Sequence, residues 1–204
     1  MNNTPEAPQQ EPKEKQPETL EEISLERPHA GRLFLMILGV ILAADLLTKY
    51  ACFQFLGVSI FTAPDGTAAI TASAAYPIFP GLALEAALNL GAFNGWFAGM
   101  RWFLIAISAL AIPICLCIAL MSPQRPATMV WALALIASGA LGNLYDRIVY
   151  GGVRDFIRCS IQLGDKEWVW PNFNIADSAI VCGVALILLR EWTLARRARG
   201  ATAE

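Results

Sequence analysis

The chain has 204 residues, 56% of them hydrophobic and only 16% charged, with a mean hydropathy of +0.49. That is too apolar for an ordinary soluble domain of this length. A formal net charge of −2 argues against both a nucleic-acid binder and a trap for acidic substrates.

The first element is a tail, residues 1–31, holding seven Glu against Lys13, Lys15 and Arg27, or about −4. It is rich in Pro, Glu and Gln and lacks aromatics. It cannot bury enough surface to offset chain entropy, so it is expected to be disordered. Charged sequence comes first and no short apolar core follows, so it does not read as a signal peptide. Residues 32–192 read as one membrane domain, and 193–204 as a basic tail.

A spanning helix needs about 20 mostly apolar residues, and four stretches qualify. The first covers residues 33–56 and is interrupted by Asp45 and Lys49. Those two are four apart with the acid first, which favours a helical ion pair; a purely structural pair is one reading of it. Residues 57–95 follow, mixing Val, Ile, Phe and Thr with Pro64, Asp65-Gly66, Pro77 and Pro80-Gly81. These are strand and turn signals. Near the end of this stretch, Asn89-Leu90-Gly91-Ala92 follows a strand-like run. The second span is 102–121, where Pro113 is tolerable because neighbouring helices can satisfy the freed carbonyl.

The third span, 128–145, ends in Gly142-Asn143-Leu144-Tyr145-Asp146-Arg147. Asn143, Asp146 and Arg147 share one helix face, and Gly139 and Gly142 permit close helix approach. Taken alone, Asp146-Arg147 could be an interfacial cap. Residues 148–172 again carry strand and turn signals, so a small β element on the outer face is expected. Phe173-Asn174-Ile175-Ala176-Asp177 then opens the fourth span, 175–189. Trp96, Trp102, Trp168 and Trp170 suit an interfacial aromatic belt.

Basic residues orient the spans. Arg27, Arg32, Arg125, Arg190, Arg196, Arg197 and Arg199 fall on one side, read as cytoplasmic, which puts both termini inside. Arg101, Arg147, Arg154, Arg158 and Lys166 fall on the other, so the bias is incomplete. By parity, Asp45, Lys49, Asn89, Asn143, Asp146, Arg147, Asn174 and Asp177 all converge on the outer face.

A carboxylate at membrane depth is costly and marks function by default. Asp146 and Asp177 are therefore read as an acid/base pair. Two carboxylates in one low-dielectric site hold a single proton between them. One can take a proton from water and the other can donate one, which is the logic of metal-free peptide hydrolysis. Which of the two is the base stays open. A small proton-coupled transporter using the same carboxylates is the alternative.

The five cysteines form no metal-like cluster. Cys115, Cys117 and Cys182 are expected to be buried small hydrophobes, and a Cys52–Cys159 disulfide is conceivable. The single histidine, His29, has no partners for a metal site. No metal or other cofactor is expected.

The motifs, in order, resemble those of lipoprotein signal peptidase (signal peptidase II): Asp45-Leu46-Leu47-Thr48-Lys49, Asn89-Leu90-Gly91-Ala92, Gly142–Arg147, Gly152-Val153-Arg154-Asp155-Phe156 and Phe173–Ile180. The resemblance covers about residues 33–190. It implies an all-α integral membrane protein with four transmembrane helices and a small β element on the extracytoplasmic face. It implies a bacterial inner-membrane aspartyl endopeptidase with Asp146 and Asp177 as its catalytic aspartates. Asp45, Lys49, Asn89, Gly91, Asn143, Arg147, Asp155, Asn174 and Ala176 would support the site or position substrate. The substrate would be a prolipoprotein, cleaved on the N-terminal side of a cysteine carrying diacylglycerol. Partners would be that substrate and membrane lipid, with no nucleic acid, and the protein is read as a monomer. Position 46 is Leu where the family often has Gln, Phe93 comes one place early, and the stretch between Lys49 and Asn89 is longer than usual.

Overall fold

The computed structural model describes residues 24–92, 97–121 and 124–201. In chain order these form β1 (Ser24–Glu26), α1 (Arg27–Phe55), β2 (Ile60–Thr62), β3 (Ala68–Ile70), β4 (Tyr76–Phe79), β5 (Leu82–Asn89) and α2 (Arg101–Leu120). Then come β6 (Gln124–Pro126), α3 (Ala127–Tyr150), β7 (Val153–Leu163), β8 (Lys166–Val169) and α4 (Ile175–Ala201). All four helices are long and apolar enough to cross a membrane.

The helices divide the work of burial unequally. In α3, 56% of the most apolar window is buried, against 22%, 17% and 11% in α1, α2 and α4. Helix α3 is therefore the centre, and the other three turn apolar side chains such as Leu35, Leu110 and Leu188 outward. That distribution suits a lipid surround, where outward Leu carries no penalty. Small residues bring α4 close to α3. A Cβ at Gly183 would lie 2.6 Å from the Ala132 carbonyl oxygen, and one at Gly139 would collide with the Ala176 carbonyl. One half of the core is apolar, built on Phe34, Ile37, Ala119, Val130 and Leu133. The buried charged and amide side chains, Asp45, Lys49, Asn143, Asp146, Arg147, Arg154, Asp155 and Asn174, form the other half.

The β element caps the polar end. Strands β4-β5-β7-β8 form one antiparallel sheet, and β2-β3 a separate hairpin. Helix α3 stops at Gly151, whose φ of +80° closes the turn in the left-handed region that glycine tolerates. A Cβ on the next residue, Gly152, would lie 2.9 Å from Leu88. The chain can therefore fold straight from α3 into β7. In the β5–β7 register, Ala87 sits opposite Asp155 and Leu88 opposite Arg154. Phe173 bonds Ile157 in both directions, at 2.9 and 3.1 Å, which pins the start of α4 to β7.

Several boundaries and contacts differ from the sequence reading. Helix α1 begins at Arg27, inside the stretch taken as tail, and β1 pairs with β6 before it. That strand pair carries no hydrophobic pattern to betray it. Residues 193–201 continue α4, because Arg and Ala are good helix formers whatever their exposure. Cys52 and Cys159 are both free thiols, and Cys117 and Cys182 are exposed on helix surfaces where a small apolar side chain is at home in lipid. Residues 1–23, together with Phe93, Asn94 and Trp96, lie outside the described residues.

Gly142 shows how tight the polar half is. A Cβ there would collide with Asp45 Oδ2, the oxygen that holds Lys49 at 2.8 Å. Gly142→Ala is expected to destabilise by about 1–3 kcal/mol, the usual cost of overpacking. Gly39, with nothing near its Cβ position, is the control: Gly39→Ala is expected to be neutral or stabilising by up to about 1 kcal/mol. Thermal unfolding of the two variants in detergent should move in opposite directions or leave Gly39→Ala unchanged.

Candidate active site

The start of α4 is built as a reciprocal cap. Asn174 Oδ1 accepts the Asp177 N–H at 2.9 Å, and Asp177 Oδ2 accepts the Asn174 N–H at 3.2 Å. This is a capping box with an amide at the N-cap and an acid three residues on. It fixes the Asp177 side chain at the helix N-terminus, where the dipole complements negative charge. Asp45 satisfies a further donor of the same turn, its Oδ1 accepting the Ala176 N–H at 2.9 Å. Helix α1 thus reaches across the bundle to help cap α4.

Behind the cap lies a fully buried ion cluster. Lys49 Nζ stands 2.8 Å from Asp45 Oδ2 and 3.1 Å from Asp146 Oδ2, and it donates to Asn143 Oδ1 at 3.2 Å. Arg154 closes the other side of Asp146. Its Nη2 and Nε donate to Oδ1 at 2.7 and 3.1 Å, and its backbone N–H donates to Oδ2 at 3.0 Å. Both oxygens of Asp146 are therefore saturated by cations and an amide. Its charge is spent on holding α1, α3 and β7 together.

Asp155 is a second buried carboxylate of this region, hydrogen-bonded by amides. Asn174 Nδ2 donates to Asp155 Oδ1 at 2.7 Å, and Asn89 Nδ2 to Oδ2 at 3.3 Å. Asn143 Nδ2 donates to Asp177 Oδ1 at 2.8 Å. Asn174 therefore touches both carboxyl groups, one through its side chain and one through its backbone. Asp155 is 2% exposed. Burial, then the neighbouring Asp177 carboxylate, push its pKa up to about 8. The sequence reading pairs Asp146 with Asp177; in the structure both oxygens of Asp146 are engaged by Lys49 and Arg154, whereas Asp155 has the Asp177 carboxylate as an electrostatic neighbour.

Charge counting agrees. Among the described residues, Asp45, Asp146, Asp155 and Asp177 share this region with Lys49, Arg147 and Arg154. Four carboxylates against three cations leave one excess negative charge, unless one acid keeps a proton. A low-dielectric site favours the neutral count.

The remaining expected residues gather around this pair. Asn89 folds its own loop, accepting the Gly91 N–H at 3.0 Å and donating to the Ala92 carbonyl at 3.0 Å. Arg147 Nη2 anchors that loop by donating to the Gly91 carbonyl at 2.9 Å. Ala176 is fully buried, next to Gly142, and works through its backbone N–H. Arg154 and Arg101 were not assigned roles from sequence. Arg101 donates to the Arg147 and Ile148 carbonyls at 2.8 and 3.1 Å, placing a cation where α3 ends.

Asp177, Asn143, Arg147 and Asn89 open onto a cleft of about 740 Å³. Away from them the cleft runs between α2, α3 and α4, and its walls are apolar: Leu104, Ile107, Ala111, Ile136, Ala140 and Ile180. One end can bind charge and hydrogen-bonding groups, the rest only hydrocarbon. Among the described residues, no group of three or more His, Cys, Asp or Glu is arranged to hold a metal ion.

Comparison with known proteins places this arrangement. Residues 37–193 match the family model described as signal peptidase (SPase) II. The lipoprotein signal peptidase of Polynucleobacter necessarius subsp. necessarius (strain STIR1) is 35% identical over 178 residues, covering 84% of this chain and 94% of that protein. The lipoprotein signal peptidase of Escherichia coli O1:K1 / APEC is 37% identical over 168 residues, covering 78% and 88%. A solved structure of a bacterial membrane enzyme superposes with a TM-score of 0.65 at 26% identity, covering 79% of this chain and 88% of its own. A second, also a bacterial membrane enzyme, gives 0.61 at 27% identity, covering 77% and 90%.

Proposed function

The chain belongs to the signal peptidase II family, and on that premise we propose that it is an aspartyl endopeptidase with Asp155 and Asp177 as its catalytic pair. It removes signal peptides from diacylglyceryl-modified prolipoproteins, on the N-terminal side of the lipidated cysteine. The observation that carries this reading is the raised Asp155 carboxyl beside Asp177, both touched by Asn174.

The chemistry follows from one shared proton. Asp155 holds it at neutral pH, and Asp177 is the carboxylate facing the cleft. Asp177 takes a proton from a water molecule as that water attacks the scissile carbonyl carbon. Asp155 donates to the carbonyl oxygen, giving a tetrahedral adduct. The proton gained by Asp177 then passes to the amide nitrogen as the C–N bond breaks, and Asp155 recovers its own as the carbonyl re-forms. Asn143 and Asn174 hold the orientation of Asp177 throughout. The diacylglyceryl chains lie in the apolar part of the cleft, with the peptide bond at its polar end.

The extracytoplasmic side is the sheet end. Arg125, Arg190, Arg196, Arg197 and Arg199 stand at the opposite end of the bundle, as cytoplasmic basic residues do. Two of the five cations that blurred this bias in the sequence are paired with acids: Arg154 with Asp146, and Arg158 with Glu85 and Glu167. The transporter alternative finds no support, because the far half of the core is apolar.

Purified protein is expected to cleave a lipidated prolipoprotein, read as the mass loss of its signal peptide, and to leave the unlipidated precursor intact. Equal cleavage of both would overturn the substrate assignment. The pH profile tests the pair itself. The active form holds one proton, so activity is present below the raised value of Asp155 and is lost as pH climbs through about 8. Cleavage kcat/KM should fall by about tenfold per pH unit beyond that point. A profile still flat at high pH would contradict the shared-proton reading.

A further inference from the structure

Away from the cleft, a second cavity of about 440 Å³ lies between the ends of α1 and α3 and the β2–β3 hairpin. Its volume is within the roughly 300–1,000 Å³ of small-ligand sites. Polar side chains line much of it: Tyr50, Gln54, Ser59, Thr62 and Tyr150, with Arg154. Arg154 is the one charged residue in that lining; its partner Asp146 lies behind it, outside the lining.

Arg154 is 4% exposed and is held by two side chains. Asp146 takes Nε and Nη2, and the Tyr150 ring lies 4.2 Å from the guanidinium carbon. Nη1 has no hydrogen-bond partner among the described residues. A planar guanidinium with a spare donor, rigidly supported, is well suited to a phosphoryl oxygen. The neutral hydroxyls and the Gln54 amide supply the further hydrogen bonds that such a group needs.

The surroundings identify the source of the phosphoryl group. The cavity sits at the sheet end of the bundle, where two spanning helices finish. Leu47 and Tyr50 of α1 and Ile148 and Val149 of α3 are exposed beside it, on surfaces that face hydrocarbon in a membrane. A headgroup in the cavity would leave its acyl chains running along these faces. We propose that this cavity binds the phosphoryl headgroup of an anionic phospholipid, separately from the peptidase cleft. Arg154 is adjacent in sequence to Asp155, so bound lipid would brace the strand that carries the carboxyl group.

The test uses the full chain in non-ionic detergent and reads thermal unfolding by tryptophan fluorescence. Short-chain phosphatidylglycerol is expected to raise the midpoint saturably. Phosphatidylcholine of the same chain length should be weaker, and inorganic phosphate at the same concentration should have no effect. Gln54 is exposed and lies outside the catalytic cluster, so its charge can be changed without disturbing the fold. Gln54→Lys should lower the half-saturating phosphatidylglycerol concentration by about threefold and Gln54→Glu should raise it about as much, the scale of one screened surface charge. Arg154→Gln should remove the response, and the Gln54 pair stands if that variant fails to fold. Equal protection by phosphatidylcholine, equal protection by phosphate alone, or wild-type behaviour of both Gln54 variants would overturn the proposal.

Discussion

Asp155→Asn is expected to reduce cleavage by roughly 10²–10⁴-fold, the contribution of a positioned acid or base, while leaving the protein folded. The amide copies the shape of the neutral acid that the site holds at neutral pH. Its effect on stability runs opposite to intuition. The Asp155 pKa rises from an ordinary 3.8 to about 8 on folding. Between those values the folded chain holds a proton that the unfolded chain has released. The stability tied to this group is therefore complete below about pH 4 and is lost as pH rises through about 8. Asn has no proton to lose. Near pH 7 the variant should unfold no earlier than the wild type, and its midpoint should vary less between pH 4 and 8. Both readouts are needed, since a structural aspartate would lose activity and stability together. Retained cleavage in folded Asp155→Asn protein would remove Asp155 from the catalytic pair.

The sequence made the helices and Asp177 readable for physical reasons. An apolar run of spanning length has few other uses, and a carboxylate at the edge of such a run is costly enough to stand out. Asp146 and Asp155 were harder. Asp146 adjoins an apolar run, so the cost of burying a charge drew attention to it. Asp155 lies in a strand among turn residues, where a carboxylate looks inexpensive. What separates them is three-dimensional. Lys49 reaches Asp146 from another helix at 3.1 Å, and Arg154 turns back over it from the next strand at 2.7 Å. Asn89 and Asn174, which flank Asp155, are far from it in sequence. A carboxylate neutralised by cations and one kept protonated look alike in a motif. The nearest signal was Arg154 itself, a cation eight residues from Asp146 and adjacent to Asp155, whose target the spacing alone does not choose.

Asp146 therefore gives the opposite expectation to Asp155. Replacing it with Asn leaves Lys49 and Arg154 in place and removes the charge they share. Lys49 keeps Asp45 at 2.8 Å, but Arg154, 4% exposed, loses its one carboxylate partner among the described residues. Breaking a buried pair from one side costs about 3–5 kcal/mol, because the remaining charge stays desolvated. Asp146→Asn should lower the unfolding midpoint by many degrees, and any loss of cleavage should follow the loss of folded protein. The double variant Asp146→Asn/Arg154→Gln should recover part of that loss. It removes both partners, and two neutral amides in a buried site can bond each other. The coupling read from this cycle should be at least about 1 kcal/mol in favour of the double variant. An Asp146→Asn protein with wild-type stability and no cleavage would reverse the assignment. It would return Asp146 to the chemistry and leave Asp155 as the structural acid.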